Sequence, residues 1–300
     1  MSRVGAWLKA FRLRTLPLAF SSIILGSFLA RHNGYFDISV LIYALLTTLF
    51  MQILSNLAND YGDTIHGVDN HQRVGPKRTV QSGEITLTQM KWGIVIFTIL
   101  SLLSGIWLLV IGTKGINVSS IFILLGIGLL AIAAAIKYTI GKNPYGYIGL
   151  GDIAVFLFFG LTGVIGTYFL HTHRIDALEF LPAISVGLLS TGVLNLNNLR
   201  DRDNDRVSGK ITMVVRLGIE KARMYHALLL GLAMASAVIY TFLNYNEPGQ
   251  FLYLLSFPLF IMSIRAVYTN TDPGKLDPEL KKLALATLLF AVTFGVGLIL

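Results

Sequence analysis

The stretch Asn56-Leu57-Ala58-Asn59-Asp60-Tyr61-Gly62-Asp63, running on to Gly67-Val68-Asp69, places two Asn and three Asp within fourteen residues. It closes the apolar run 38–58, and a run of roughly 20 mostly apolar residues is long enough to cross a bilayer. Carboxylates beside hydrocarbon are costly and are kept where they serve a function. A second cluster, Asn195-Leu196-Asn197-Asn198-Leu199-Arg200-Asp201-Arg202-Asp203-Asn204-Asp205, closes another apolar run late in the chain. Together the two hold six of the 16 acidic residues.

Composition sets the surroundings of these clusters. The 300 residues are 54% hydrophobic and 13% charged, with a mean hydropathy of +0.67. A soluble domain carries about a quarter charged residues. The predicted fold class is therefore all-α, a polytopic protein of the lipid bilayer, with a single transmembrane domain over residues 1–300. The formal charge of +8 does not point to nucleic acid, because Lys and Arg fall in short segments between apolar runs. The absence of Cys excludes disulfides and thiolate metal sites. Four basic residues up to Arg14 precede the first apolar run with no small-residue cleavage site after it, which reads as an uncleaved first span. The segment 3–13, with Trp7, Leu8 and Phe11 among basic residues, reads as a short interfacial helix.

Nine spans are predicted, at 16–31, 38–58, 91–111, 117–136, 149–170, 178–197, 224–243, 250–268 and 282–300. All but three of the 24 Lys and Arg residues lie at the N-terminus or in the loops after spans 2, 4, 6 and 8. The exceptions are Arg31, Lys114 and Arg174. This asymmetry predicts that the N-terminus and both acidic clusters are cytoplasmic, and the expected location is the cell membrane (plasma or inner membrane) as a multi-pass protein. The clusters end spans 2 and 6, and Asn56-Leu57-Ala58-Asn59 echoes Asn195-Leu196-Asn197-Asn198. A repeat of four spans keeps its orientation, so the expected plan is two four-helix units plus a ninth helix.

Residues four apart on a helix lie about 40° apart around its axis. Asn59 and Asp63 then share a face, as do Asn197, Asp201 and Asp205, and Asp60 lies close by. Carboxylates with amide oxygens suit a hard cation such as Mg²⁺, which binds through a few carboxylates and substrate phosphates. Beyond the first cluster runs Arg73-Val74-Gly75-Pro76-Lys77-Arg78, then Gln81 and Gly83; beyond the second come Gly209-Lys210 and Arg216-Leu217-Gly218. Such basic residues can take the phosphate oxygens a metal leaves free. A single cluster is read more simply as a solvated helix end, and two at matched points carry the functional reading. Lys137, Lys142 and most loop Arg serve equally well as topology determinants. Tyr138, Tyr145 and Tyr147 fit an interfacial belt, and His66 and His71 read as loop residues. Asp152, after the glycine-rich stretch 146–151, either lines a cavity or sits at the interface.

Asn59-Asp60-Tyr61-Gly62-Asp63 with a second Asp-rich stretch resembles the UbiA superfamily of intramembrane prenyltransferases. The likeness to its 1,4-dihydroxy-2-naphthoate branch rests on four further stretches. They are Arg12-Leu13-Arg14-Thr15-Leu16-Pro17, Gly75 to Gly83, Pro144-Tyr145-Gly146-Tyr147 through Asp152, and Asn197-Asn198-Leu199-Arg200-Asp201 with Gly209-Lys210. Asp69, six residues after Asp63, departs from the superfamily's usual acidic spacing and matches that branch.

The resemblance implies nine helices around a central cavity, with the acidic segments at its cytoplasmic end. It also implies Mg²⁺ held by Asp60, Asp63, Asp201 and Asp205, with Asp69 a further candidate. Asn59, Arg78, Tyr138, Asn197, Asn198 and Arg216 would bind substrate, and Lys210 and Asp152 would be catalytic, Asp152 acting on an acceptor hydroxyl. The implied reaction joins a polyprenyl diphosphate to 1,4-dihydroxy-2-naphthoate with loss of CO₂ and diphosphate, giving demethylmenaquinone. The same fold with 4-hydroxybenzoate, a haem or a chlorophyll precursor as acceptor is one rival reading. A cation transporter would need acids near the bilayer midplane, and a phosphatidyl-alcohol transferase one dense acidic motif; neither pattern is present.

Overall fold

The computed structural model describes residues 2–70 and 74–300, so His71 and Arg73 of the first basic loop lie outside the described residues. Helix α1 (Arg3–Phe11) starts where the Ser2 hydroxyl accepts from the Gly5 amide at 3.2 Å. It buries Ala6 and Ala10 and leaves Val4 and Leu8 exposed, as an interfacial helix does. Arg12 closes it in the left-handed region (φ 48°) and turns the chain into α2 (Leu16–His32), whose second residue is Pro17. Helix α3 (Ile38–Ile65) is capped by the Asp37 carboxylate on the Ser39 amide at 2.7 Å. Thr86 and Gln89 form a reciprocal capping box at the start of α4 (Leu87–Gly112), and Asn117 caps α5 (Val118–Lys137).

The next span is one rod in three parts: α6 (Gly151–Val155), a π-helical segment (Phe156–Ile165) and α7 (Gly166–Thr172). Helix α8 (Phe180–Val207) and α9 (Met213–Leu243), which breaks at Gly218, form a tightly packed pair. A 3₁₀ segment (Pro248–Ser256) leads into α10 (Phe257–Thr269), and α11 (Asp277–Ile299) closes the bundle against α2. Among the described residues nine helical segments are long and apolar enough to cross a membrane. The nine predicted spans are all present.

Where the spans end is different. Helix α3 runs on to Ile65 and α8 to Val207, beyond the predicted span ends at 58 and 197, so Asp60, Asp63, Asp201 and Asp205 lie on helices, as their helical spacing anticipates. Hydropathy locates the end of the apolar stretch, but a helix continues as long as its backbone hydrogen bonds and a packed face remain. Here the packed face is polar: Asn195 Nδ2 donates to the Ala222 carbonyl of α9 (3.2 Å), and Asn56 Nδ2 to the Phe11 carbonyl (2.9 Å).

The larger core joins Leu25 and Leu29 of α2, Tyr168 of α7, Val186 and Leu189 of α8, Tyr240 of α9, Tyr253 of the 3₁₀ segment, Phe260 of α10, and Phe290 and Phe294 of α11, all buried. A smaller one packs Ala6, Ala10, Leu54, Leu57, Met90 and Ile94 where α1 lies across α3 and α4. By contrast α5 buries none of its residues. Between α2, α3, α5, the π-helical segment and α8 lies a cavity of about 800 Å³. Its wall depends on a close crossing, since a Cβ on Gly160 would lie 2.7 Å from the Gly187 Cα. Gly160→Val should therefore lower the unfolding free energy in detergent by about 1–3 kcal/mol, the usual cost of overpacking. Denaturant titration of the purified variant checks this.

Candidate active site

The first cluster is delivered by the last two turns of α3. Tyr61 and Gly62 separate Asp60 from Asp63, and the chain 138–149 packs directly on that turn: a Cβ at Gly62 would fall 2.6 Å from the Thr139 carbonyl oxygen. Thr139 Oγ1 donates to the Ala58 carbonyl at 2.9 Å, fixing the same contact. Past the helix, the Val68 and Asp69 amides both donate to the Asp63 carbonyl (2.9 and 3.2 Å), which folds Asp69 back beside it. The second cluster occupies the end of α8. Asn204 Nδ2 donates to the Val68 carbonyl at 2.9 Å and so ties one cluster to the other.

Five buried carboxylates result, Asp60, Asp63, Asp69, Asp201 and Asp205, each facing a cation. Arg12 is ion-paired with Asp60, and Arg78 Nε stands 3.5 Å from Asp60 and 3.8 Å from Asp69. Lys210 Nζ stands 3.6 Å from Asp63 and 3.9 Å from Asp205, over the Tyr147 ring at 5.2 Å. Asp201 takes two hydrogen bonds from its neighbour Arg200 (2.9 and 2.6 Å), which also reaches Asn197 (2.9 Å) and Asp277 of α11 (2.5 Å). Burial works against the Lys210 ammonium, but Asp63 and Asp205 outweigh it and raise its pKa, so it is charged at neutral pH. Burial, then the Asp63 carboxylate, raises the Tyr147 phenol; it stays neutral and donates to Asp63 at 2.7 Å.

The cavity opens onto this layer. Asn59, Asp63, Arg78, Tyr138, Asn197, Asn198 and Lys210, expected at the site from sequence, all line it. Asp60, Asp69, Asp201 and Asp205 belong to the charged layer without lining the cavity, and two expected residues, Asp152 and Arg216, stand outside both. Asp152 accepts from the Tyr225 hydroxyl at 3.2 Å and is not among the cavity-lining residues. Arg216 is exposed on the first turn of α9 and donates to the Ile148 carbonyl at 2.6 Å, a tie between loop and helix. Tyr147 departs from the interfacial-belt reading: it is buried against Asp63. Arg12 and Arg200 carry no site role in the sequence reading: the Arg12 partner Asp60 is reached only through the tertiary fold, and Arg200, already beside Asp201 and one turn from Asn197, gains Asp277 of α11 only there.

The model of the UbiA prenyltransferase family matches residues 19–298. The chain belongs to this family. As a UbiA member it is 44% identical over 300 residues to a 1,4-dihydroxy-2-naphthoate octaprenyltransferase of Haemophilus influenzae, covering 99% of this chain and 96% of that one. A 1,4-dihydroxy-2-naphthoate octaprenyltransferase of Escherichia coli is also 44% identical, over 100% of this chain and 97% of its own length. Among solved structures, a UbiA homolog from Archaeoglobus fulgidus bound to DMAPP and Mg²⁺ superposes with a TM-score of 0.64 at 18% identity, covering 97% of this chain and 99% of the other. That superposition carries the fold.

The donor set of this UbiA chain fits Mg²⁺: carboxylate oxygens beside amide oxygens, without thiols. Among the described residues no three acidic or His side chains form a ready cage. Removing one member of a buried ion pair strands the other charge and costs about 3–5 kcal/mol. Lys210→Met should therefore unfold that much more readily without substrate, because Asp63 and Asp205 lose their counter-charge. Denaturant titration without and with Mg²⁺ is the check, with the larger Mg²⁺ stabilisation expected in the variant.

Proposed function

We propose that the protein transfers a polyprenyl group from polyprenyl diphosphate to 1,4-dihydroxy-2-naphthoate, in menaquinone biosynthesis. The observation that carries this reading is the layer of five buried aspartates, paired with Arg12, Arg78, Arg200 and Lys210, at one end of a cavity of about 800 Å³. An anionic head group with metal fits the charged end, and an isoprenoid tail fits the apolar remainder. The names of the relatives at 44% identity over nearly the whole chain support the choice of acceptor.

In this mechanism Asp60, Asp63, Asp201 and Asp205 would hold Mg²⁺, with Asp69 beside them, and the bound ion would supply Lewis-acid stabilisation of the departing diphosphate. Lys210 and Arg78 carry charge to the diphosphate oxygens. Tyr147 keeps Asp63 in place through its hydrogen bond. The bond from the donor's first carbon to diphosphate oxygen breaks, and the naphthoate carbon bearing the carboxylate bonds to that carbon. The carboxylate then leaves as CO₂ and returns its electron pair to the ring. The product is the reduced, quinol form of demethylmenaquinone. Apolar and aromatic side chains, Leu102, Phe158, Phe159 and Phe169 among them, keep water from the allylic cation. Asn59, Tyr138, Asn197 and Asn198 border the acceptor's place. Asp152, held by Tyr225 outside the lining, supports the wall and takes no part in transfer.

Asp63→Ala and Asp201→Ala should each lower turnover by about a hundredfold or more, the scale of a metal-dependent charge-stabilising contact. The assay is transfer from a labelled polyprenyl diphosphate, with and without Mg²⁺, to naphthoate and to 4-hydroxybenzoate. Near-normal rates in either variant refute the two-cluster site, and preference for 4-hydroxybenzoate refutes the acceptor. The basic residues favour an inner-membrane protein with the charged layer facing the cytoplasm. A reporter fused after Leu300 should then be active on the far side, because nine crossings separate it from the N-terminus.

A further inference from the structure

Arg12 is one of two non-glycine residues with positive φ among the described residues. Its own turn holds it there, with its carbonyl accepting from the Thr15 amide (2.9 Å) and the Thr15 hydroxyl (3.0 Å). Asn56 braces the turn from α3, donating to the Phe11 carbonyl (2.9 Å) and to Thr15 Oγ1 (3.2 Å). Backbone held in a sparsely populated region by its surroundings is typical of functional positions. The effect is to bring a guanidinium from the α1–α2 junction to the cavity, where it pairs with Asp60.

The charged side chains lining the cavity, among the described residues, are Arg12, Asp63, Arg78 and Lys210. Arg78 and Lys210 each lie between two carboxylates, within the layer that would receive metal and diphosphate. Arg12 shares Asp60 with Arg78 but comes from the α1–α2 junction, whose next cavity-lining residues are the neutral Thr15 and Leu18, with Asn56 of α3 bonded to that turn. Asn198 also lines the cavity; it is 3% exposed and makes no side-chain hydrogen bond to another described residue. A guanidinium with hydroxyl and amide groups around it suits a planar aromatic acid, since its fork matches a carboxylate with two parallel hydrogen bonds.

We propose that Arg12 anchors the carboxylate of the aromatic acceptor, and that its ion pair with Asp60 withholds it until metal and diphosphate have engaged Asp60. The proposal rests on the prenyl-transfer reading above. One guanidinium face cannot serve Asp60 and a substrate carboxylate together. Once Asp60 turns to a cation its hold on Arg12 weakens, and the acceptor's carboxylate takes its place. Donor and acceptor binding are then coupled, each strengthening the other equally. Loss of CO₂ removes the anion, so the neutral product has no claim on Arg12, which returns to Asp60.

The test is equilibrium binding of 1,4-dihydroxy-2-naphthoate to the purified full chain in lipid nanodiscs. It is measured alone and with Mg²⁺ plus an unreactive polyprenyl thiolodiphosphate. The wild type should bind the acid about tenfold tighter in the second condition, within the usual range of coupling between sites. 1,4-Naphthalenediol, which lacks the carboxylate, should show no such gain. Asp60→Asn should bind the acid tightly with neither metal nor analogue present. Arg12→Gln should lose the acid while binding the Mg²⁺–thiolodiphosphate at least as tightly as the wild type does, because Asp60 is then free for the metal, and Arg12→Lys, keeping charge without the fork, should fall between on the acid. If Arg12→Gln and Arg12→Lys keep the acid and lose the thiolodiphosphate, Arg12 belongs to the diphosphate and the proposal fails. It fails equally if Asp60→Asn shows no gain. Arg12-dependent binding of 4-hydroxybenzoate in place of naphthoate would overturn the acceptor assignment and leave the anchor standing.

Discussion

Everything at the working end of this bundle depends on how charge is buried there. A lone carboxylate taken from water into a low-dielectric interior loses several kcal/mol of solvation. No aspartate of the layer stands without a cation near it. Arg12 and Arg78 meet Asp60, Arg78 continues to Asp69, Lys210 bridges Asp63 and Asp205, and Arg200 joins Asp201 to Asp277. These contacts cross between α3, α8, α11 and the loops after α3 and α8. The charge pattern therefore sets the register of segments far apart in the chain, which apolar packing against lipid would leave loosely specified. The same pairs prepare the layer for its ligand. On the proposed reading, Mg²⁺ would bring positive charge to the aspartates as diphosphate brought negative charge to Lys210 and Arg78, so partners would be exchanged while the balance was kept.

The spans were legible because bilayer thickness sets a length and lipid demands apolar side chains, and nine stretches satisfy both. The acidic end was legible for a complementary reason: Asp60, Asp63, Asp201 and Asp205 stand where such residues are expensive. The helix ends were not, because hydropathy stops at Ala58 and Asn197 whereas the backbone ladder runs on to Ile65 and Val207. Nor were Arg12, Arg200 and Tyr147. Arg12 and Arg200 look like two more basic residues near a membrane surface, and Tyr147 like part of an aromatic belt; the fold sets Arg12 against Asp60 and Tyr147 against Asp63, and carries Arg200, next to Asp201 in the sequence, on to Asp277. Asp152 and Arg216 are a different case. Chemistry next to glycine-rich loops suggested site residues, but Tyr225 and the Ile148 carbonyl are their partners.

The cavity is polar at one end and apolar along the rest. Arg12, Asn59, Asp63, Arg78, Asn197 and Lys210 crowd the charged end, while Leu102, Ile123, Phe158, Phe169 and Phe180 line the remainder. Its walls are unequal too: α8 is heavily buried between its neighbours, and α5 buries none of its residues. A π-helical segment faces this space, and such segments recur at functional sites because an added residue per turn opens the backbone and re-aims side chains. A substrate with one charged end and a long hydrocarbon matches that asymmetry from head to tail.

Placing such chemistry inside a bilayer solves a problem of reactivity as well as of solubility. Ionising an allylic diphosphate creates a carbocation beside a strong anion, and water would consume the cation. A soluble enzyme must close a lid to exclude that water. Here the excluded phase is already present, because the cavity below the charged layer is walled by helices whose outer faces are built for lipid. What remains for the protein is to keep an anionic acceptor from occupying the charged end before the donor arrives. A cation already engaged by an aspartate meets that need, since the pair releases its guanidinium only when a stronger claim is made on the carboxylate. Arg12 and Asp60 are such a pair, placed where the two substrates would meet.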